Sequence, residues 1–203
     1  MSVAEQRQGE DQAFREFATR HGLACAPRTA ALPIRGQLDG VPLSVAKVRR
    51  GSGSNPYPAT QFLALAPAHF AGGLVAYKPN FVWRLPGPRR ISDDIGRRGL
   101  LGFAHHDRMG DRELDKRLVV YADDVEQARA RITAPDAKQA ILTALDAAGH
   151  IRIRDNEVAL ELSERRSGLV KLLASAEEVE TLAFAAVAVI RCLAAPGGDP
   201  YRS

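Results

Sequence analysis

The densest group of residues able to do acid–base or metal chemistry lies in the middle of the chain. His105, His106 and Asp107 are consecutive, and Asp111 and Asp115 follow within eight residues. Imidazole and carboxylate groups bind transition metals and move protons near neutral pH. Adjacent histidines point in different directions, however, and no HExxH or CxxC spacing accompanies them. The cluster predicts either a catalytic site formed by His105, His106, Asp107 and Asp111, or a polar loop in which Asp111 and Asp115 cap turns.

Basic side chains are concentrated just before this cluster. The formal net charge is +4, and the stretch from Lys78 to Arg98 holds six basic residues against Asp93 and Asp94, so it carries the whole excess. Clustered arginines attract anionic partners, and Trp and Arg dominate the energetics of protein interfaces. The stretch therefore predicts either a solvated loop or a binding surface for an acidic protein, formed by Trp83, Arg84, Arg89, Arg90, Arg97 and Arg98. A smaller basic group, Lys47, Arg49 and Arg50, precedes a GSGSNP loop.

The motifs that identify common enzymes and cofactor sites are missing from the sequence. It contains no GxGxxG after a strand, no GxxxxGK[ST] phosphate loop and no GxSxG nucleophile elbow, so no cofactor is expected. These observations favour a non-enzymatic protein-binding or assembly module. A metal-dependent hydrolase using the His/Asp cluster is the alternative. Nucleic-acid binding by the same arginines ranks third, because the net charge is modest and no zinc-finger or RNP-like segment supports it.

Composition is that of an ordinary globular protein. Of the 203 residues, 45% are hydrophobic and 26% are charged, which indicates a folded chain. We expect one domain over residues 1–195 and a flexible tail over 196–203. The N-terminus lacks a signal pattern and no apolar run is long enough to span a membrane, so a cytoplasmic protein is expected. Cys25 and Cys192 are far apart in the sequence and are expected to be buried thiols.

Two hairpins are the clearest elements that could position these residues. Asp39 and Gly40 form a turn pair that tolerates positive φ, and it joins the alternating segments 34–38 and 41–48. In residues 151–163, apolar residues alternate with Arg and Glu around an acidic turn, so ion pairs are expected across the outward face. The likeness of the two hairpins indicates either an internal duplication or two unrelated hairpins with acidic turns.

Further strands and an irregular stretch follow the first hairpin. Apolar runs separated by Pro and Gly predict an antiparallel meander, because no helix-length segment lies between them; the runs are 60–66, 74–77 and 81–85. Residues 86–117 lack clear periodicity and are expected to form a long loop, the kind of segment that often carries function. A short strand is predicted at 118–121.

Helical periodicity predicts four helices, over residues 10–21, 125–132, 136–148 and 169–195. The second half of the last helix, LAFAAVAVI, is apolar on nearly every face. Such a helix is buried in the core or packs against a second copy of the chain. The predicted fold is therefore α+β, an antiparallel sheet of hairpins and a meander covered on one face by helices, with a long C-terminal helix.

The segment MGDRELDKRLVVYADDVEQARARIT, residues 109–133, resembles a pattern found in a family of uncharacterised bacterial proteins. In that pattern a Gly-Asp and a Phe- or Leu-Asp precede a basic-apolar strand and a helix. Gly110-Asp111, Leu114-Asp115 and the strand beginning at Leu118 occupy those places. The resemblance implies a bacterial, soluble α+β domain and brings no activity or catalytic residue.

Overall fold

The computed structural model describes most of the chain between residues 3 and 194. The described residues are 3–26, 34–50, 57–70, 74–78, 108–148, 150–163, 165–166, 169–170, 173 and 175–194. Their helices are α1 Val3–Arg20, α2 Arg112–Arg117, α3 Val125–Ile132, α4 Pro135–Ala147 and α5 Ala176–Ala194. Their strands are β1 Ala24–Cys25, β2 Ile34–Leu38, β3 Val41–Arg50, β4 Tyr57–Leu65, β5 Val75–Tyr77, β6 Val119–Tyr121, β7 His150–Arg154, β8 Glu157–Ser163, β9 Arg165–Arg166 and β10 Leu169–Val170.

Eight of these strands form one sheet, in the order β1-β2-β3-β4-β8-β7-β5-β6. Every neighbouring pair in it is antiparallel. The remaining two strands, β9 and β10, pair with each other. An antiparallel sheet with separate helices is an α+β fold, as the sequence predicts.

Both predicted hairpins are confirmed. In the first, Leu38 lies opposite Val41, and Asp39 and Gly40 have φ angles of 52° and 79°. Two positive φ angles characterise the tight turns that match the twist of the flanking strands. In the second hairpin Arg154 lies opposite Glu157, and Arg152 Nη2 is 2.9 Å from Glu157 Oε1, which is one of the ion pairs expected on its outward face.

The helices cover one face of the sheet. Val45, Phe62 and Leu160 are side by side across β3, β4 and β8, and each is at most 1% exposed. Helix α5 packs on these three strands and also contacts α1 and α4, so it is the central element of the helical layer. Burying a Phe or Leu side chain stabilises the fold by about 1.5–3 kcal/mol, which makes this row a main source of stability.

Helix α1 is longer than predicted but ends where expected. It begins at Val3 rather than at residue 10. Its first two turns are mostly polar and show no apolar periodicity, so the sequence pattern does not reveal them. Gly22 has a φ of 65°, and the Leu23 N–H donates to the Ala18 carbonyl at 2.8 Å. This is the left-handed helix end that glycine favours.

The predicted pairing of the runs 60–66 and 74–77 is wrong. The meander consists of β2, β3 and β4, and the next neighbour of β4 is β8, not β5. The long β8 matches β4 along seven residue pairs, whereas β5 has only three residues and pairs with β6 and β7. The third run, 81–85, lies outside the described residues.

Two other boundaries differ from the prediction. The C-terminal helix begins at Ala176 rather than 169, because Leu169 and Val170 form β10 and Ser175 caps the helix through a hydrogen bond from the Glu178 N–H to Ser175 Oγ at 3.3 Å. The expected loop 86–117 contains α2 in its last six residues. The predicted tail, 196–203, is outside the described residues.

Candidate binding surface

Most of the predicted site residues fall outside the described part of the chain. This holds for the expected interface residues Trp83, Arg84, Arg89, Arg90, Arg97 and Arg98, and for the expected catalytic residues His105, His106 and Asp107. Asp111, the fourth expected catalytic residue, is the only member of the two sets that the structure describes. Both hypotheses therefore depend on how the fold holds the two ends of the undescribed segment 79–107.

The first end of this segment is fixed by Lys78, directly after β5. Its backbone N–H donates to the Ile151 carbonyl at 3.1 Å. Its ammonium lies at the C-terminal end of α4, with Nζ 3.3 Å from the Leu145 carbonyl and 3.5 Å from that of Ala148. Helix C-termini carry unsatisfied carbonyls and partial negative charge, so a cation is stabilising there. Lys78 thus has a structural role and does not belong to a free cationic surface.

The second end is fixed around α2. Met109 is buried, and its N–H donates to Asp115 Oδ1 at 2.8 Å. Gly110 has a φ of 76° and turns the chain into the helix. The Arg108 carbonyl accepts from Arg129 Nη2 at 3.2 Å, which ties the same turn to α3. The chain is therefore fixed on both sides of residues 79–107.

Asp111 caps α2 and is held by a lysine. Its Oδ1 accepts from the N–H groups of Glu113 and Leu114 at 3.0 and 3.1 Å, and its Oδ2 lies 2.6 Å from Lys138 Nζ. The Lys138 hydrogen bond first, and the backbone N–H groups next, hold the pKa of Asp111 below its usual range. A carboxyl with a lowered pKa stays ionised near neutral pH, so Asp111 is unsuited to act as a general acid.

Asp111 and Asp115 thus both do what the polar-loop alternative expects of them. Asp111 caps the helix, and Asp115 accepts a hydrogen bond from the turn before it. Within the described residues there is no group of three or more His, Cys, Asp or Glu side chains placed to hold a metal ion. The role of the other three members of the cluster stays a prediction.

Replacing Asp111 with alanine is expected to destabilise the fold by about 1–2 kcal/mol, because it removes the helix cap. Asp124→Ala is the matched control, since Asp124 caps α3 by accepting from the Gln127 N–H alone. Urea unfolding at neutral pH should show a larger loss of unfolding free energy for Asp111→Ala, because this variant also loses the Lys138 contact. Equal losses would mean that the Lys138 contact contributes nothing.

The contribution of Asp111 should depend on pH. A carboxyl whose pKa is lowered by folding stabilises the protein above its unfolded-state pKa, and this stabilisation disappears as the pH falls through the lower folded value. The difference between wild type and Asp111→Ala should therefore shrink between neutral pH and about pH 3. A constant difference across this range would contradict the assigned role.

Eight of the described Lys and Arg side chains form an ion pair with a carboxylate. Arg20, Lys47, Arg117, Arg129, Lys138, Arg152, Arg154 and Arg191 each form an ion pair with an Asp or Glu. Lys47, expected in a basic group with Arg49 and Arg50, instead pairs with buried Glu10. Arg49 is exposed, and the Arg50 side chain is outside the described part.

A set of exposed bases around α2 was not predicted from the sequence. Arg108, Arg112 and Lys116 are exposed, and no ion pair is seen for them among the described residues. The spacing of four between Arg112 and Lys116 would have indicated a shared helix face, had the six-residue helix been predicted. These side chains begin ten residues after Arg98, the last residue of the stretch from Lys78 to Arg98 that we call the arginine-rich segment.

Burial within its own chain accounts for the apolar composition of α5. Ten of its residues are buried, and Phe184, at 36% exposure, is its one exposed large hydrophobic residue. This is the buried-core alternative of the two left open by the sequence. A homo-oligomer formed through this helix stays a prediction. None of the described helices is long and apolar enough to cross a membrane.

Comparison with known proteins gives no relative for this fold and surface. No protein-family model, no curated protein and no solved structure matches the chain.

Proposed function

We propose that this chain is a non-enzymatic protein-binding or assembly module whose arginine-rich segment engages an acidic surface on a protein partner. The observation that carries the proposal is that the fold fixes the chain on both sides of residues 79–107, which include these arginines, at Lys78 and at Met109. A fold that fixes both ends of a cationic segment lowers the entropy lost when that segment binds. Besides Lys78, the segment up to Arg98 holds five arginines against Asp93 and Asp94, a net charge of +3.

The residue types in the segment support a protein partner. Trp and Arg are enriched among the residues that contribute most to binding energy, and Trp83 stands next to Arg84. Charges at the edge of an interface mainly raise the association rate and select partners of opposite charge. The proposal places the module in the cytoplasm; in support, neither Cys25 nor Cys192 is in a disulfide.

The proposal predicts that Arg84→Ala/Arg89→Ala/Arg90→Ala weakens partner binding by about tenfold and flattens its salt dependence. The tagged full-length chain would capture its partner from native lysate with and without nuclease, and the identified partner would then be titrated. The control is Arg15→Ala/Arg35→Ala/Arg49→Ala. It removes three exposed arginines from α1, β2 and β3 and changes the net charge equally.

The control should bind within about twofold of wild type, because its side chains lie on other elements. Equal loss in both variants would reduce the effect to overall charge and contradict a dedicated surface. Unchanged binding by the Arg84, Arg89 and Arg90 variant would also contradict the proposal. Capture that vanishes with nuclease would replace the protein partner by nucleic acid.

A further inference from the structure

Two bases of α2 point away from the fold. Leu114, in the middle of the helix, is fully buried. Arg112 and Lys116 are each two residues from it, so the 3.6-residue period places both on the opposite side of the helix. Both are exposed, as is Arg108 just before the helix. The described fold thus presents three exposed bases on and just before α2, Arg108, Arg112 and Lys116, which we call the α2 basic face.

The acidic residues of the same segment are engaged elsewhere. Asp111 caps the helix and contacts Lys138, and Glu113 Oε2 lies 3.7 Å from the same Lys138 ammonium. Asp115 accepts from the Met109 N–H. Arg117, the remaining base of α2, pairs with Asp146 of α4. Among the described residues, no ion pair involves the α2 basic face, although the half-exposed Glu113 carboxylate lies on the same helix.

We propose that the α2 basic face is a preformed docking contact for the acidic protein partner of this chain. The inference rests on the proposed function and adds to it a second contact, on regular secondary structure. Side chains held on a helix are already positioned, so little backbone entropy is lost when they bind. In the sequence the face begins ten residues after Arg98, the last arginine of the arginine-rich segment.

The mixture of charges around α2 favours a protein over a nucleic acid. Carboxylates of Asp111 and Glu113 belong to the same turn of chain as the three bases. A continuous phosphate backbone would meet these carboxylates as well as the bases, and like charges repel. A polypeptide carries its carboxylates on flexible side chains, which can contact the bases and turn away from Asp111 and Glu113. The face therefore fits a protein with an acidic surface.

The experiment measures binding of the full-length chain to fluorescent poly-L-glutamate and, in parallel, to poly(U) RNA. Arg108→Ala/Arg112→Ala/Lys116→Ala should bind poly-L-glutamate about tenfold more weakly than wild type, because three solvent-exposed charge contacts are lost. The control Arg15→Ala/Arg35→Ala/Arg49→Ala has the same net charge and should stay within about twofold. Thermal unfolding would establish that both variants are folded.

A charge-conserving variant adds a second readout. Arg108→Lys/Arg112→Lys keeps all three positive charges and should retain poly-L-glutamate binding within about threefold. Loss in this variant equal to that in the alanine variant would overturn a docking contact based on charge. Wild-type binding to poly(U) that is tighter and more salt-dependent than binding to poly-L-glutamate would overturn the choice of a protein partner.

The two hypotheses fail in different ways. If the Arg84, Arg89 and Arg90 variant loses poly-L-glutamate binding while the α2 variant binds like wild type, the inference is overturned and the proposed function stands. If the α2 variant loses binding while the other does not, the arginine-rich segment is not the partner surface and the docking contact stands. If wild type does not bind poly-L-glutamate at all, the acidic partner chemistry of both is overturned.

Discussion

Lys47→Met is expected to destabilise the fold by about 3 kcal/mol, because it removes the ammonium that contacts the buried Glu10 carboxylate. Glu10 is only 3% exposed, and its Oε2 lies 2.6 Å from Lys47 Nζ. Its other oxygen accepts from the Leu173 N–H at 3.2 Å. The Lys47 ammonium also lies 5.6 Å from the centre of the Phe14 ring, a distance that permits a cation–π contact.

A double variant separates the loss of the ion pair from simple loss of packing. In Lys47→Met/Glu10→Gln the charge at position 10 is gone, while the amide oxygen can still accept from the Leu173 N–H. Urea unfolding should show that Glu10→Gln restores more than half of the stability lost in Lys47→Met. A loss below about 1 kcal/mol in the single variant would show that Glu10 reaches solvent easily, contrary to its burial.

This pair has consequences for the whole helical layer. It connects α1 to β3 and to Leu173, which stands just before α5. Helices α1 and α5 are in contact and cover the central strands. Breaking the pair should therefore weaken the layer that supports α4, whose C-terminal carbonyls receive Lys78 and so fix the start of the arginine-rich segment.

The sequence contained part of the information needed to assign Lys47. Val41, Leu43 and Val45 alternate toward the helices, and the same period of two places Lys47 on that face, opposite Thr60. Closeness in the sequence instead suggests a basic group of Lys47 with Arg49 and Arg50. Its partner Glu10 is 37 residues away on another element. Alternation predicts which face a residue occupies, but not which distant side chain will meet it there.

The same limit explains the errors in topology. Asp39-Gly40 and the alternation around it specify a hairpin locally, and both hairpins could be predicted. The pairing of β4 with β8 joins residues about 100 positions apart, such as Gln61 and Glu161, and no local pattern encodes it. At the C-terminus, leucines at 169, 172 and 173 fit a helical period, yet the helix begins only after Ser175, a residue type that favours the cap position.

For the candidate binding surface, the sequence predicted where positive charge is concentrated, but not the contacts that fix the chain on either side of it. A count of residues located the cationic excess between Lys78 and Arg98. It could not show that the Lys78 ammonium lies on backbone carbonyls and so is engaged within the fold. It also passed over α2, because a six-residue helix with one buried residue shows no periodicity. The supporting contacts depend on Ile151, Asp115 and Lys138, which come from other elements or from the following turn.

Phe17→Ala is expected to cost about 3–5 kcal/mol, as typical for a fully buried aromatic side chain. Phe17 has no exposed surface, lies in the core against which α1 packs, and stands 5.1 Å from the His21 ring. Phe184→Ala is the matched control. Its ring contacts the same histidine at 5.4 Å, edge to face, but is 36% exposed, so its loss should cost less than about 1 kcal/mol.

The comparison tests what holds α1 on α5. His21 Nε2 and Arg20 Nη1 both lie 2.9 Å from Glu180 Oε1, so polar contacts at the surface also join the two helices. If burial dominates, chemical denaturation should rank Phe17→Ala far below Phe184→Ala in stability. Similar losses would mean that the exposed cluster of His21, Glu180 and Phe184 holds α1 in place. In that case the Glu10–Lys47 pair would lie under a helix attached mainly at its end, and Lys47→Met would cost less than expected.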